Sequence, residues 1–155
     1  MGTHRILCAG LSALSLMAGA PAQAQPGSTS AEKIRRLDIM LMVTGLRCRT
    51  GDSDFRTDYG RFTTAHLGAL NGAAAELRSD MARQFGAAGA ERALDRLSVT
   101  MANSYGQGHP WLGCAELKQV VAGLADMRGP AVLEAAADQL LAPSGSRAQL
   151  AYARR

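Results

Sequence analysis

The sequence predicts an all-α protein, a compact bundle of four to five helices closed by one disulfide. Three observations lead there. After residue 30 the apolar residues recur every three to four positions, the period of a helix with one buried face. No stretch alternates apolar with polar residues as a half-buried strand does. Two cysteines, Cys48 and Cys114, follow a first segment that directs the chain to an oxidising compartment.

That first segment opens MGTHR, continues through the apolar run ILCAGLSALSLMAGA and reaches Ala22-Gln23-Ala24. Charged, apolar and small-residue regions in this order define a secretory signal peptide, with cleavage after Ala24 and a periplasmic destination. The run is shorter than the roughly 20 apolar residues a membrane span needs, and no later stretch is longer, so no membrane insertion is expected after cleavage. Cys8 lies inside the run and leaves with it. The domain plan is therefore a leader over 1–24, a helical domain over 25–142 and a flexible tail over 143–155, rich in Ser, Gly and Arg.

The first helix begins near Ser30, because Thr29 followed by Glu32 is the reciprocal capping pattern. Ile34, Leu37 and Leu41 set its period, and Ile39, Met40, Met42 and Val43 widen the apolar face, so it is expected at the centre of the bundle. The turn-rich TGDSD over 50–54 ends it, and Ser53 or Asp54 can cap the next helix. From Phe55 through Phe62, His66, Leu70, Leu77 and Phe85 the spacing fits one long helix or two collinear ones. Gly68 and Gly72 each cost about 1 kcal/mol relative to alanine, which predicts a kink or a close helix crossing near Asn71. Gly86 and Gly89 bracket the next break. A third helix carries Ala90, Leu94, Leu97 and Met101 and stops at Gly106; a fourth runs on from Cys114 through Leu117, Val121 and Leu124; a fifth starts at Pro130 with Leu133 and Leu140.

Charge narrows the function classes. The full chain carries a formal +4, and its basic residues are scattered among acidic ones instead of gathered on one face with aromatics, so nucleic acid is not an expected partner. Two unexplained thiols in an oxidising compartment pair; the long loop that Cys48 and Cys114 close is worth about 4 kcal/mol by chain entropy.

The stretch SYGQGHPWLGCAEL concentrates the chemistry-bearing residues. Ser104 has no nucleophile-elbow signature around it and sits where a serine caps a helix end. Gly106 and Gly108 form a GxG, but Trp111 stands where the third glycine of a dinucleotide fingerprint belongs. Cys48, Cys114, His66 and His109 have the composition of a zinc site without its paired spacing, so no metal and no cofactor are expected. His66 reads as a core histidine with one hydrogen bond satisfied, His109 as an exposed group that titrates near its ordinary pKa of about 6.5. Arg47 and Arg49 flank Cys48. With the disulfide formed, they meet Tyr105, His109, Trp111 and Glu116 in a candidate pocket for an anion or a peptide carboxylate. The plainer reading makes the arginines partners of the helix dipole and Trp111 a plug directed inward beside the disulfide by His109-Pro110.

The stretches RRLDIMLMVTGLRCRTGDSDF and TMANSYGQGHPWLGCAELK resemble a family of small exported Gram-negative bacterial proteins of unknown function, similar over most of the chain after the leader. Some members carry the label S-adenosyl-L-homocysteine hydrolase, which implies a much larger enzyme with a Rossmann domain. The resemblance agrees with the boundaries and the paired cysteines and carries over no catalytic residue. The expected function is a protein- or peptide-interaction module, or an envelope stress module, with another envelope protein or a peptide as partner. The alternative is a small hydrolase-type enzyme using the loop over residues 105–116.

Overall fold

The computed structural model describes residues 29–141; the leader with its cleavage site and the tail over 143–155 lie outside the described residues. Among the described residues there are six helices and no strand: α1 (Ser30–Arg47), α2 (Arg56–Ala65), α3 (Leu67–Phe85), α4 (Ala87–Ser104), α5 (Cys114–Asp126) and α6 (Pro130–Leu140). The all-α expectation holds, and one predicted helical stretch divides in two.

Helix α1 starts where the capping pattern placed it: the Thr29 hydroxyl accepts the Glu32 amide at 3.2 Å. Leu37, Met40 and Leu41 are fully enclosed, with Ile34 and Ile39 nearly so. Burial of each such side chain is worth about 1.5 to 3 kcal/mol relative to leaving it in water. This wide apolar face explains why α1 is central, touching each of the other five helices. Near its end Gly45 lets a neighbour in close. A methyl group there would stand 3.2 Å from the ring of Phe55, itself completely buried.

The stretch from Phe55 to Phe85 breaks at His66 and not near Asn71. His66 belongs to the turn between α2 and α3, is 3% exposed, and places Nε2 2.8 Å from the Leu124 carbonyl of α5. Both the core histidine and its one hydrogen bond match the expectation. Gly68 and Gly72 lie on the open side of α3, where a methyl group on either would have no heavy atom within 4 Å, so neither marks a close crossing. The α3 to α4 turn uses Gly86 at φ +71°, a conformation that favours glycine.

Helix α2 has its first amide satisfied by Asp54, whose carboxylate accepts the Arg56 N–H at 3.0 Å. The hydrogen bonds from the Arg56 side chain and backbone hold the exposed Asp54 carboxyl down to about 2. Helix α5 packs on α2, and α6 on α1, where Pro130 occupies the first turn and Leu133, Ala137 and Leu140 face the core. Lys33 meets Asp138 at 2.7 Å across the α1–α6 contact. Such half-exposed ion pairs contribute about 0 to 1 kcal/mol each, so the core and the disulfide dominate.

Candidate functional site

The candidate residues gather at one corner, where α1 and α4 end and α5 begins. Cys48, 3% exposed, caps α1 and donates its amide to Thr44 at 2.9 Å. Its sulfur is bonded to Cys114, the first residue of α5, across a Cα–Cα distance of 5.6 Å and a sequence separation of 66. The expected pairing is therefore present. It ties the end of the central helix to the start of α5, and Lys118 adds a 2.7 Å bond to the Asp52 carbonyl.

Between α4 and α5 the chain turns tightly through Tyr105, Gly106 and Gly108, with the Gly108 amide on the Tyr105 carbonyl at 2.8 Å. Gly108 has φ +100°, and a methyl group on it would meet Cδ and Nε of Arg47 at 3.3 Å. The missing side chain thus serves two ends, the backbone conformation and the passage of the Arg47 stem across the loop.

His109 departs from its expected exposure: it is 9% exposed and serves as a clamp. Nε2 lies 3.0 Å from the Leu140 carbonyl at the end of α6; Nδ1 accepts the Leu112 amide at 3.1 Å and the Trp111 amide at 3.4 Å. A carbonyl only accepts and an amide only donates, so the ring carries its proton on Nε2. Trp111 stands edge-on to this ring, centroids 4.5 Å apart at 82°. The indole is half-buried with Nε1 enclosed, closer to the plug reading than to an exposed anchor. Glu116, also expected in the pocket, instead accepts the Gly113 amide at 2.8 Å and caps α5. Tyr105 is buried; its hydroxyl is pushed up by burial, with Arg36 pulling the other way. Ser104 gives its hydroxyl to the Thr100 carbonyl at 3.0 Å.

The structure thus divides the predicted set. Tyr105, His109 and Glu116 hold the loop together, and Arg47 and Arg49 remain at a surface cleft of about 380 Å³, lined also by Val43, Leu46, Thr50 and Gly106. Arg47 Nη1 reaches the Gly106 carbonyl at 3.5 Å and Arg49 Nη1 the Leu46 carbonyl at 3.3 Å. Among the described residues Arg47 and Arg49 meet no carboxylate, as is also true of Arg92, Arg96 and Arg128, whereas Arg35, Arg36, Arg56, Arg61, Arg78 and Arg83 all do. Val43, expected only as part of the apolar face of α1, is half-buried at the cleft; Met42, expected on the same face, instead stays 39% exposed; Leu46 and Thr50, which no motif marks, complete the lining.

Other concave regions carry less chemistry. Beside Arg61 and Arg128 a cleft of about 410 Å³ opens, but Arg61 is neutralised by Asp58 and Asp126 and Arg128 is turned onto the Ala125 and Met127 carbonyls. An apolar groove between α5 and α6, lined by Leu112, Val120, Leu124 and Met127, bears no charge. Inside, Tyr59 donates to Asp38 at 2.7 Å and Arg35 reaches Ser98, a polar tie between α1, α2 and α4. Burial first, then the Asp38 charge, pushes the Tyr59 hydroxyl well above its usual range.

The zinc composition does not assemble into a site. Its two sulfurs are bonded to each other, and among the described residues no three His, Cys, Asp or Glu side chains cluster as metal ligands. No helix among the described residues is long and apolar enough to cross a membrane. Compared with known protein families, curated proteins and solved structures, the chain matches none of them.

Proposed function

We propose that this is an exported, periplasmic helical module that binds another protein or a peptide, with the Arg47–Arg49 cleft as its contact point. One observation carries the reading: two guanidinium groups without a carboxylate partner among the described residues flank a disulfide-anchored residue at the mouth of a cleft. Arginines held this way offer a preorganised fork to an acidic group. Beside them Met42 and Leu46 stay 39% and 51% exposed, which suits a partner with apolar as well as acidic character. The side chains a loop-based hydrolase would use are engaged elsewhere: His109 holds backbone groups of Leu112 and Leu140, and Ser104 holds Thr100. The leader-like order of charged, apolar and small residues over 1–24 and the paired cysteines support the compartment.

The test is chemical crosslinking in periplasmic extracts with the wild-type chain, an Arg47→Glu/Arg49→Glu variant and an Arg92→Glu/Arg96→Glu control on α4. A partner captured by wild type and control and lost with the cleft variant is the expected result. Identical capture by all three removes the cleft from the interaction.

A further inference from the structure

We infer that the Arg47–Arg49 cleft recognises the free chain end of a peptide, an α-carboxylate whose own residue bears an aliphatic side chain. This inference rests on the interaction-module reading and adds the class of ligand. Three groups converge on it. The first is the guanidinium pair: each arginine makes only one long contact to a carbonyl, Arg47 to Gly106 at 3.5 Å and Arg49 to Leu46 at 3.3 Å, out of the five donors a guanidinium owns. The remaining donors outnumber what one carboxylate can accept. The second is the apolar wall of Val43 and Leu46, one helical turn wide on α1 and lining the same cleft. A simple inorganic anion gains nothing from that wall, whereas an aliphatic side chain next to the carboxylate covers it. The third is the Gly106 carbonyl at the cleft edge, approached among the described residues only by the long 3.5 Å contact from Arg47 and able to accept the amide N–H of a ligand's last residue.

A carboxylate, a side chain and an N–H on one α-carbon are the features of a terminal residue. An internal aspartate or glutamate offers its carboxylate one or two bonds further from the backbone N–H, so it cannot meet the arginines and Gly106 together at the same spacing. The volume, about 380 Å³, lies at the small end of ligand pockets and fits a residue or two of peptide, not a long segment. The site is also held in shape before any ligand arrives. Cys48 between the two arginines is bonded to α5, and Gly108 leaves room for the Arg47 stem to lie on the loop. Fixed roots lower the ordering cost that an exposed arginine normally adds to binding. The cleft stands at the carbonyl end of α1, whose dipole, equivalent to about half a negative charge, disfavours an anion, and the two guanidinium groups more than reverse the local sign.

The experiment titrates the ¹⁵N-labelled exported chain with acetyl-Gly-Ser-Ala-Leu as free acid, the same peptide as C-terminal amide, acetyl-Gly-Ser-Asp-Leu as amide, and inorganic phosphate at matched ionic strength. The free acid is expected to shift the Thr50 and Gly106 amides and the Arg47 and Arg49 Nε signals. The amide and the internal aspartate should each bind at least tenfold more weakly. Arg47→Gln or Arg49→Gln, with the remaining spectrum unchanged, should weaken the free acid at least fivefold. Equal binding of acid and amide, or an internal aspartate or phosphate matching the free acid, overturns chain-end recognition while leaving the module reading to its crosslinking test. No shift at the cleft with any probe at millimolar concentration overturns the inference as well, and the module reading falls only if crosslinking is insensitive to charge reversal.

Discussion

Replacing His109 by alanine removes a clamp that no neighbouring side chain replaces, and its cost can be worked from the bonds it makes. The ring satisfies the Leu112 amide at 3.1 Å and the Leu140 carbonyl at 3.0 Å; the 3.4 Å contact to the Trp111 amide lies beyond the usual hydrogen-bond range and counts for little. Each buried polar group left without a partner costs about 1 to 3 kcal/mol. Loss of the edge-on contact with Trp111 adds roughly 0.5 to 1.5 kcal/mol. Water entering the vacated space returns part of this. The expected net loss is about 3 to 4 kcal/mol, or roughly 10 to 15 °C in melting temperature for a domain of this size. Urea unfolding followed by circular dichroism, with the disulfide intact, measures it, and Trp111 fluorescence reports the loop directly. His109→Gln, which can both donate and accept, should lose less than alanine. A loss below about 1 kcal/mol for alanine, with unchanged Trp111 emission, would refute the clamp.

The glycines separate by sign. Gly108→Ala puts a side chain at φ +100° and should cost about 1 to 3 kcal/mol, while Gly68→Ala and Gly72→Ala, in open space on α3, should each stabilise by about 0.5 to 1 kcal/mol; thermal melts of the three variants decide. Cys48→Ala/Cys114→Ala should lose about 4 kcal/mol relative to the oxidised chain, and intact mass under non-reducing conditions should show no free thiol at either position in the wild type. Above pH 10 stability should fall: Tyr59 and Tyr105 are raised by burial, so the unfolded chain releases their protons first, and the stability they carry is present below about pH 10 and lost as pH climbs toward their folded values. Tyrosinate absorbance that rises at ordinary pH for both residues in the native protein would contradict this.

Local chemistry made much of the fold legible. The Thr29 cap, the Pro130 start and the apolar face of α1 are properties of adjacent residues, and the structure reproduces them except at Met42, which stays 39% exposed. The break at His66 was not legible, because it depends on a carbonyl 58 residues away in α5. His109 misled for the same reason: a histidine between glycine and proline looks solvated until Leu140, 31 residues on, supplies its partner. Near Asn71, Gly68 and Gly72 mark neither a kink nor a close crossing; they only weaken a helix held by Ala73 and Leu77 on its other face. At the site, Arg47 and Arg49 could be read from their places around Cys48. Their separation from Tyr105, His109 and Glu116 could not, since it turns on which polar groups the loop consumes in closing itself.

Closure of the loop also sets the relation between stability and binding in this corner. The loop between α4 and α5, with three glycines and a proline, anchors Tyr105 and Leu112 on the core but leaves backbone groups for side chains to satisfy, and His109 and Glu116 are used for that. Nothing in the loop's hydrogen bonding requires Arg49, and Arg47 contributes only a long contact to Gly106. The disulfide removes the remaining need for the arginines to hold the helix ends together, since it already joins α1 to α5. Arg49 caps the Leu46 carbonyl at the end of α1 and Arg47 reaches Gly106, duties that use few of their donors; rooted on either side of a covalent anchor and set beside exposed Leu46, both line the cleft with donors to spare.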